Sequence, residues 1–201
     1  MSYYDEFKTV DLIMGSSAET RGVDAFALSL IKAERQIRRQ FTFLVYQFSC
    51  FHKAHVSLLR DTLGGEKVYF EGFECGFNAL FLHPVEDLIG SQYARLRPRI
   101  KDAIDFRNKI FHGQLTSRRL HRDDLFALVT DIRSWCEALA IAGNSMIGYD
   151  GFARDSFRKS FITDLSKNYK VQFMNVADYA DFIRMYMLRR KAIAARRTTN
   201  V

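Results

Sequence analysis

The sequence predicts an all-α fold, a helical bundle followed by a less regular extension and a basic tail. The chain of 201 residues contains only two prolines, Pro84 and Pro98, so long stretches are free to run as uninterrupted helix. Along these stretches apolar residues recur at spacings of three and four, which is the period of one helix face. Hydrophobic residues make up 48% of the chain, enough to bury a substantial core.

The first part of the chain is predicted to contain an arm and one long helical region. Residues 1–22 end in the polar stretch GSSAETRG, which indicates a loosely ordered arm. Asp24 is placed to cap an amphipathic helix over about 25–63. That helix is expected to break near Cys50 and to end at the glycine pair that begins with Gly64.

Three helical segments follow. Residues 66–82 are rich in aromatic side chains spaced nearer four apart than two, so they are predicted to be mostly helical. A turn is expected at 83–84, and a single helical turn over 85–89. The next helix is predicted to begin around Pro98 and to end at Gly113, because glycine commonly ends helices.

A strongly periodic helix is predicted after this, capped by Asp123 and ending near Gly143 or Gly148. Residues 149–173 are less regular, and 169–173 form a candidate extended segment. A last helix is expected over about 175–195. The predicted regions are an N-terminal arm (1–22), a helical domain (23–148) and a C-terminal helical extension with a basic tail (149–201).

The cysteine content and the hydropathy pattern favour a cytoplasmic protein. Three cysteines lie far apart, which argues for a reducing compartment and against a disulfide framework or zinc ribbon. Cys50, His52 and His55 lack a fourth ligand at a zinc-like spacing, so no metal site is expected there. No apolar run approaches the roughly 20 residues needed to span a bilayer, so no membrane partner is expected either.

Positive charge is concentrated in two places. The net charge is +7, with nine basic and two acidic residues over 95–122, and six basic residues without an acid over 184–201. Charge this localised indicates a polyanionic partner such as RNA. The alternative at each place is a solvated helix face or a solvated tail.

The segment RNKIFHG, residues 107–113, combines an arginine, a polar residue, a histidine and a terminating glycine at the end of an amphipathic helix. Ile110 and Phe111 are expected to continue the buried face of that helix. The pattern resembles the HEPN superfamily, whose active members carry R-x4-6-H with a polar residue, often asparagine, directly after the arginine. Arg107, Asn108 and His112 match this pattern, and the order of helices over 24–147 supports the resemblance.

The resemblance implies an HEPN-like bundle and a metal-independent endoribonuclease without a cofactor. Cleavage through attack by the RNA 2′-hydroxyl needs a proton shuttle and a cation for the phosphoryl charge. His112 suits general acid/base work, and Arg107 offers paired hydrogen bonds to phosphate. Asn108 would orient the substrate or contact the phosphate. The implied products carry a 2′,3′-cyclic phosphate and a 5′-hydroxyl.

Helix geometry predicts a homodimer with a composite active site. Residues five apart on a helix are rotated by about 140°, so Arg107 and His112 do not face the same way. Two such helices meeting at a two-fold axis would bring them together, as active HEPN domains do. The resemblance further implies a toxin or an antiviral, abortive-infection nuclease that acts on tRNA or other cellular RNA, with an antitoxin or regulatory protein as a further partner. Gln114 stands where toxins controlled by nucleotidyltransferases usually have tyrosine, which argues against that control.

Eight more residues are predicted to contact RNA: Lys109, Arg118, Arg119, His121, Arg122, Arg189, Arg190 and Lys191. Two alternatives stay open. One is a non-catalytic HEPN-like dimer that binds nucleic acid or a protein, and the other is a structural dimer whose basic tail binds an acidic protein. A separate interpretation of the motif is that Arg107 and His112 only cap helix carbonyls and pair with Asp102 or Asp105.

Overall fold

The computed structural model describes residues 3–113, 120–153, 155–163 and 165–188. Across these residues the fold is all-α, as predicted, and the only pairing of strand type is a single antiparallel bridge between Phe81 and Tyr169. The α-helices are α1 (Tyr3–Gly15), α2 (Arg21–Tyr46), α3 (Val56–Gly64), α4 (Phe70–Leu80), α5 (Val85–Ile89), α6 (Tyr93–Phe111), α7 (Arg122–Ile147) and α8 (Val176–Phe182). Short 3-10 turns occur at Lys53–His55, Gly90–Gln92 and Leu165–Asn168, and a π-helical turn, Ile183–Met187, follows α8.

The helices group into two compact units, each built from two separate parts of the chain. The first unit comprises Met1–Gln36 and Glu86–Arg154, and the second comprises Ile37–Val85 and Asp155–Val201. The three regions predicted from the sequence follow the chain in order, so they do not coincide with these units. That division stays a prediction about domain organisation.

The N-terminal segment is a helix and not the loosely ordered arm that was predicted. Phe7 and Val10 of α1 are fully buried in the first unit. Glu6 lies beside them, and its carboxylate accepts hydrogen bonds from Lys32 at 2.9 Å and from Arg35. A buried carboxylate is tolerated when cations pair with it. The apolar spacing along α1 and this ion pair therefore order the segment.

Helix α2 begins at Arg21, four residues before the predicted start, and Asp24 lies inside its first turn. The Thr20 hydroxyl donates to the Asp24 carboxylate at 2.7 Å. The predicted break near Cys50 is confirmed, because no helix covers 47–52.

Helices α6 and α7 run antiparallel in the first unit over the N-terminal half of α6. The ring of Tyr93 lies 5.9 Å from that of Trp135, and the Arg99 Nε donates to Asp131 at 2.8 Å. Helix α6 starts five residues before Pro98, the predicted start. The proline removes one helix hydrogen bond, yet α6 continues through it to Phe111. The neighbouring residue Leu96 is fully buried.

Helix α7 begins at Arg122, so Asp123 lies in its first turn and is not its cap. The carboxylate of Asp124 accepts the His121 N–H at 2.9 Å and closes this helix start. At the other end Gly148 has φ +76°, the left-handed conformation that commonly ends helices. The predicted end near Gly148 is thus confirmed.

The second unit is organised around an aromatic cluster. The ring of Phe48 lies 4.5 Å from both Tyr169 and Phe173. Lys159 caps the end of α2, where its ammonium donates to the carbonyls of Tyr46 at 2.6 Å and Phe48 at 2.9 Å. The predicted extended segment 169–173 contributes only the single bridge at Tyr169.

Two further sequence predictions concern the second unit. Helix α4 lies within 66–82, as expected, and α8 begins directly after Asn175, whose side chain accepts the Asp178 N–H at 3.1 Å. The last predicted helix continues through the π-helical turn, and its part beyond 188 lies outside the described residues. Over the described ranges no helix is both long and apolar enough to cross a membrane.

Candidate active site

The motif residues form the last turn and a half of α6, in the first unit. His112 is the C-cap, and its N–H donates to the Asn108 carbonyl at 3.1 Å. Gly113 has φ +61°, and its N–H donates to the Ile110 carbonyl at 3.1 Å. Glycine adopts this conformation without the steric cost that other residues incur. The predicted helix end at Gly113 is confirmed.

Arg107 is largely covered and faces a carboxylate that the sequence did not reveal. Its side chain is 22% exposed, and its Nη1 lies 3.6 Å from the Oε2 of Glu34 on α2. Its Nε is buried and has no hydrogen-bond partner among the described residues. The separation of 3.6 Å is longer than a hydrogen bond, so Glu34 attracts the guanidinium without occupying its donors. The predicted alternative partners, Asp102 and Asp105, do not pair with Arg107.

His112 is exposed at the end of the helix. Its imidazole makes no hydrogen bond or ion pair within the described part of the chain, so neither Arg107 nor Asn108 orients it there. Residues four apart on a helix share a face. The motif therefore presents two neighbouring rows, Asn108 with His112 and Arg107 with Phe111.

Phe111 does not continue the buried face as predicted. Its side chain is 63% exposed. The buried positions of α6 are Leu96, Ile100, Ala103 and Ile104, so burial ends two turns before Phe111. The last two turns of α6 therefore extend beyond the part of the helix that packs against the core. The periodicity of apolar residues in the sequence does not show where this packing ends.

Part of the predicted basic field is neutralised within the chain. Arg95 and Arg99 both contact the Asp131 carboxylate, each at 2.8 Å. Lys109, by contrast, forms no ion pair with any described residue and is half-buried. Two basic residues in the N-terminal half of α6 are thus paired with a carboxylate, whereas Lys109 near its C-terminal end is available to an anionic ligand.

The other predicted RNA-contacting residues fall into two groups. His121 and Arg122 are exposed at the start of α7. Arg122 lies against α2, since a β-carbon at Gly22 would come within 3.1 Å of its Cγ. The remaining predicted residues lie outside the described part of the chain: Arg118, Arg119, Arg189, Arg190 and Lys191, together with Gln114.

The rest of the described structure offers no metal site and one cleft. Its His, Cys, Asp and Glu residues form no group of three or more that could hold a metal ion. A cleft of about 290 Å³ lies in the second unit, where Arg184 is 3.7 Å from Glu66 and 3.1 Å from Asp181. Among the described residues, Arg184 is the one member of the predicted basic tail that lines this cleft.

Comparison of the chain with protein-family models, with curated proteins and with solved structures found no match. The likeness to HEPN domains therefore rests on Arg107, Asn108, His112 and their helical context, and membership of that superfamily stays a prediction.

Proposed function

We propose that the protein is an HEPN-type endoribonuclease that cleaves RNA without a metal ion, using Arg107 and His112. The proposal is supported chiefly by the end of α6, where an exposed histidine lies within two helical turns of a guanidinium that makes no hydrogen bond to a described residue. Histidine is suited to move protons near neutral pH, and arginine stays charged and fits phosphate.

The proposed reaction is an internal transfer at phosphorus. The 2′-oxygen bonds to the adjacent phosphorus and its proton passes to a neutral His112 imidazole. The bond from phosphorus to the 5′-oxygen then breaks, and a protonated His112 supplies the proton that this oxygen needs. Arg107 stabilises the negative charge on the non-bridging oxygens. Each role is typically worth a factor of about 10² to 10³ in rate.

Glu34 and Asn108 support this chemistry in the proposal. Glu34 restrains Arg107 from α2 while leaving its N–H groups for phosphate. Asn108 lies in the same row as His112, so its amide is placed to contact the phosphate or the ribose near the imidazole.

A homodimer would complete the site. Because Arg107 and His112 lie on different faces of α6, two copies of this helix would pair the arginine of each subunit with the histidine of the other. One histidine would then act as base and the other as acid.

The wider biological proposal follows the resemblance. Under it the protein is a toxin or an antiviral, abortive-infection nuclease acting on tRNA or other cellular RNA, held in check by an antitoxin or regulatory protein. The segment 116–122 and the tail 184–197 would hold the RNA backbone through their basic residues. Hydrogen bonds to phosphate position RNA without reading its sequence.

The test compares cleavage of a labelled single-stranded RNA by the wild type, Arg107→Ala and His112→Ala. Each variant should lose at least about a hundredfold in rate. The matched controls are His52→Ala and Arg60→Ala, an exposed histidine and an exposed arginine in the second unit, which should cleave like the wild type. Equal cleavage by all five proteins would refute the proposal.

One observation favours a second candidate, a non-catalytic RNA-binding dimer. Arg107 already has a carboxylate beside it, and no described contact joins it to His112. Under this candidate, no RNA is cut and His112→Ala keeps the RNA affinity of the wild type.

A further inference from the structure

We propose that Phe111 is a base-stacking residue, and that the site therefore accepts RNA with an unpaired base next to the phosphate that is cut. This inference rests on the proposed function, since it assumes that RNA binds at the end of α6. It names the class of substrate as single-stranded RNA or a loop, in preference to a duplex.

The first observation is the exposure of the ring. Phe111 is 63% exposed and makes no ring contact with another described aromatic residue. Most phenylalanines of the chain lie in the core, as Phe7, Phe41 and Phe77 do with no exposed surface. A ring that stays exposed gains none of the free energy that burial of its apolar surface would supply, and a ligand that covers the ring would provide that gain.

The second observation is the position of the ring relative to the motif. Phe111 lies four residues after Arg107 on the same helix face, where side chains are about 5–6 Å apart at their β-carbons. It also directly precedes His112. A phosphate held by Arg107 would thus carry a neighbouring base within reach of the Phe111 ring.

The third observation is charge, which favours a nucleic acid as the ligand that covers the ring. The turn around the ring carries Arg107, Lys109 and His112, and no acidic residue occurs over 106–113. Single-stranded RNA offers both an anionic backbone and free base faces, whereas duplex bases are stacked on each other.

Binding to uncleavable oligonucleotides tests the inference independently of catalysis. The probes are a single-stranded 2′-O-methyl oligonucleotide, which lacks the attacking hydroxyl, and an abasic strand of equal length. Phe111→Ala should weaken binding of the first by about fivefold to 150-fold, the loss of one stacked base, and leave binding of the second unchanged. Phe111→Trp should retain the affinity of the wild type. Phe161→Ala is the matched control, because Phe161 is 71% exposed in the second unit.

Two outcomes would overturn the inference, and a third would separate it from the proposed nuclease function. Equal binding by Phe111→Ala and the wild type, or no binding of either probe by the wild type, overturns the inference. Loss of both probes, with a dimer becoming a monomer in sedimentation, also overturns it and places the ring in a subunit interface. Base-dependent binding through Phe111 without RNA cleavage would leave stacking intact while the nuclease proposal fails.

Discussion

Among the described residues Arg107 pairs with one carboxylate, that of Glu34, and this contact would govern how strongly Arg107 attracts a phosphate. Glu34 is 3.6 Å from the guanidinium, so its charge competes with any anionic ligand. At about 4 Å, two charges in water interact by about 1 kcal/mol. The contact joins positions 34 and 107 through the tertiary fold, and no feature of the sequence indicates it.

Replacing Glu34 by glutamine should therefore raise RNA affinity. The expected gain is about fivefold at low salt, because a competing charge is removed while the side chain keeps its size. Fluorescence anisotropy with the 2′-O-methyl strand measures it, and the exposed Glu19→Gln serves as the control. A weaker affinity in Glu34→Gln would contradict this prediction, because it would show that the lost restraint on Arg107 outweighs the removal of the competing charge.

The three cysteines should differ sharply in reactivity. Cys136 is fully buried, and burial raises the pKa of its thiol far above the ordinary value. A raised pKa leaves less thiolate at a given pH, so Cys136 should resist iodoacetamide at pH 8 in the folded protein. Cys75 is exposed and should react first. Mass spectrometry of folded and unfolded samples measures this, and equal labelling of Cys136 and Cys75 in the folded protein would contradict the described core.

At the scale of the elements, local signals predicted helix ends better than helix starts. Gly64, Gly113 and Gly148 end helices as expected, because a glycine acts on the backbone where it stands. Helix α1 and the start of α6 were missed. Their order depends on contacts with distant residues, such as the pairing of Glu6 with Lys32. The exposure of Phe111 could not be predicted from the sequence either, because it depends on which distant segments pack against the end of α6.

Two glycines of α4 should be needed where Met187 of the π-helical turn packs against that helix. A β-carbon at Gly72 would collide with the Met187 carbonyl oxygen, and one at Gly76 would lie 2.8 Å from its Cγ. Gly72→Ala should lower the free energy of unfolding by about 1–3 kcal/mol, because a backbone carbonyl cannot easily move. Gly76→Ala should cost less, since the methionine side chain is flexible.

Chemical denaturation measures both effects, with Gly15→Ala as the control. Nothing lies within 4 Å of a β-carbon at Gly15, so this change should be neutral or stabilising by up to about 1 kcal/mol. A Gly72→Ala protein as stable as the wild type would contradict the described packing of Met187.

At the scale of the whole molecule, both compact units are discontinuous in sequence. The fold class follows from periodicity and the scarcity of proline, whereas the grouping of segments depends on contacts between residues more than a hundred positions apart. Phe48, for example, packs on Tyr169 and Phe173. The domain boundary predicted at residue 148 lies within the first unit. Along the chain it also separates the two segments that make up the second unit.

Truncation after Gly148 should therefore disrupt the second unit. The shortened chain lacks Lys159, which caps α2, and the rings that cover Phe48. We expect a broad unfolding transition and binding of a hydrophobic dye, since a large apolar surface is uncovered. Denaturation followed by circular dichroism measures this. A transition as sharp as that of the full chain would show that residues 149–201 are an independent appendage.

The activity proposed for this protein is cleavage of RNA by Arg107 and His112 without a metal ion. The most direct measurement is the treatment of total cellular RNA and tRNA in EDTA with the wild type, Arg107→Ala and His112→Ala, followed by analysis of the new ends. We predict fragments with 2′,3′-cyclic phosphate and 5′-hydroxyl ends from the wild type alone. Identical RNA patterns from all three folded proteins, or cutting that EDTA abolishes, would contradict the claim.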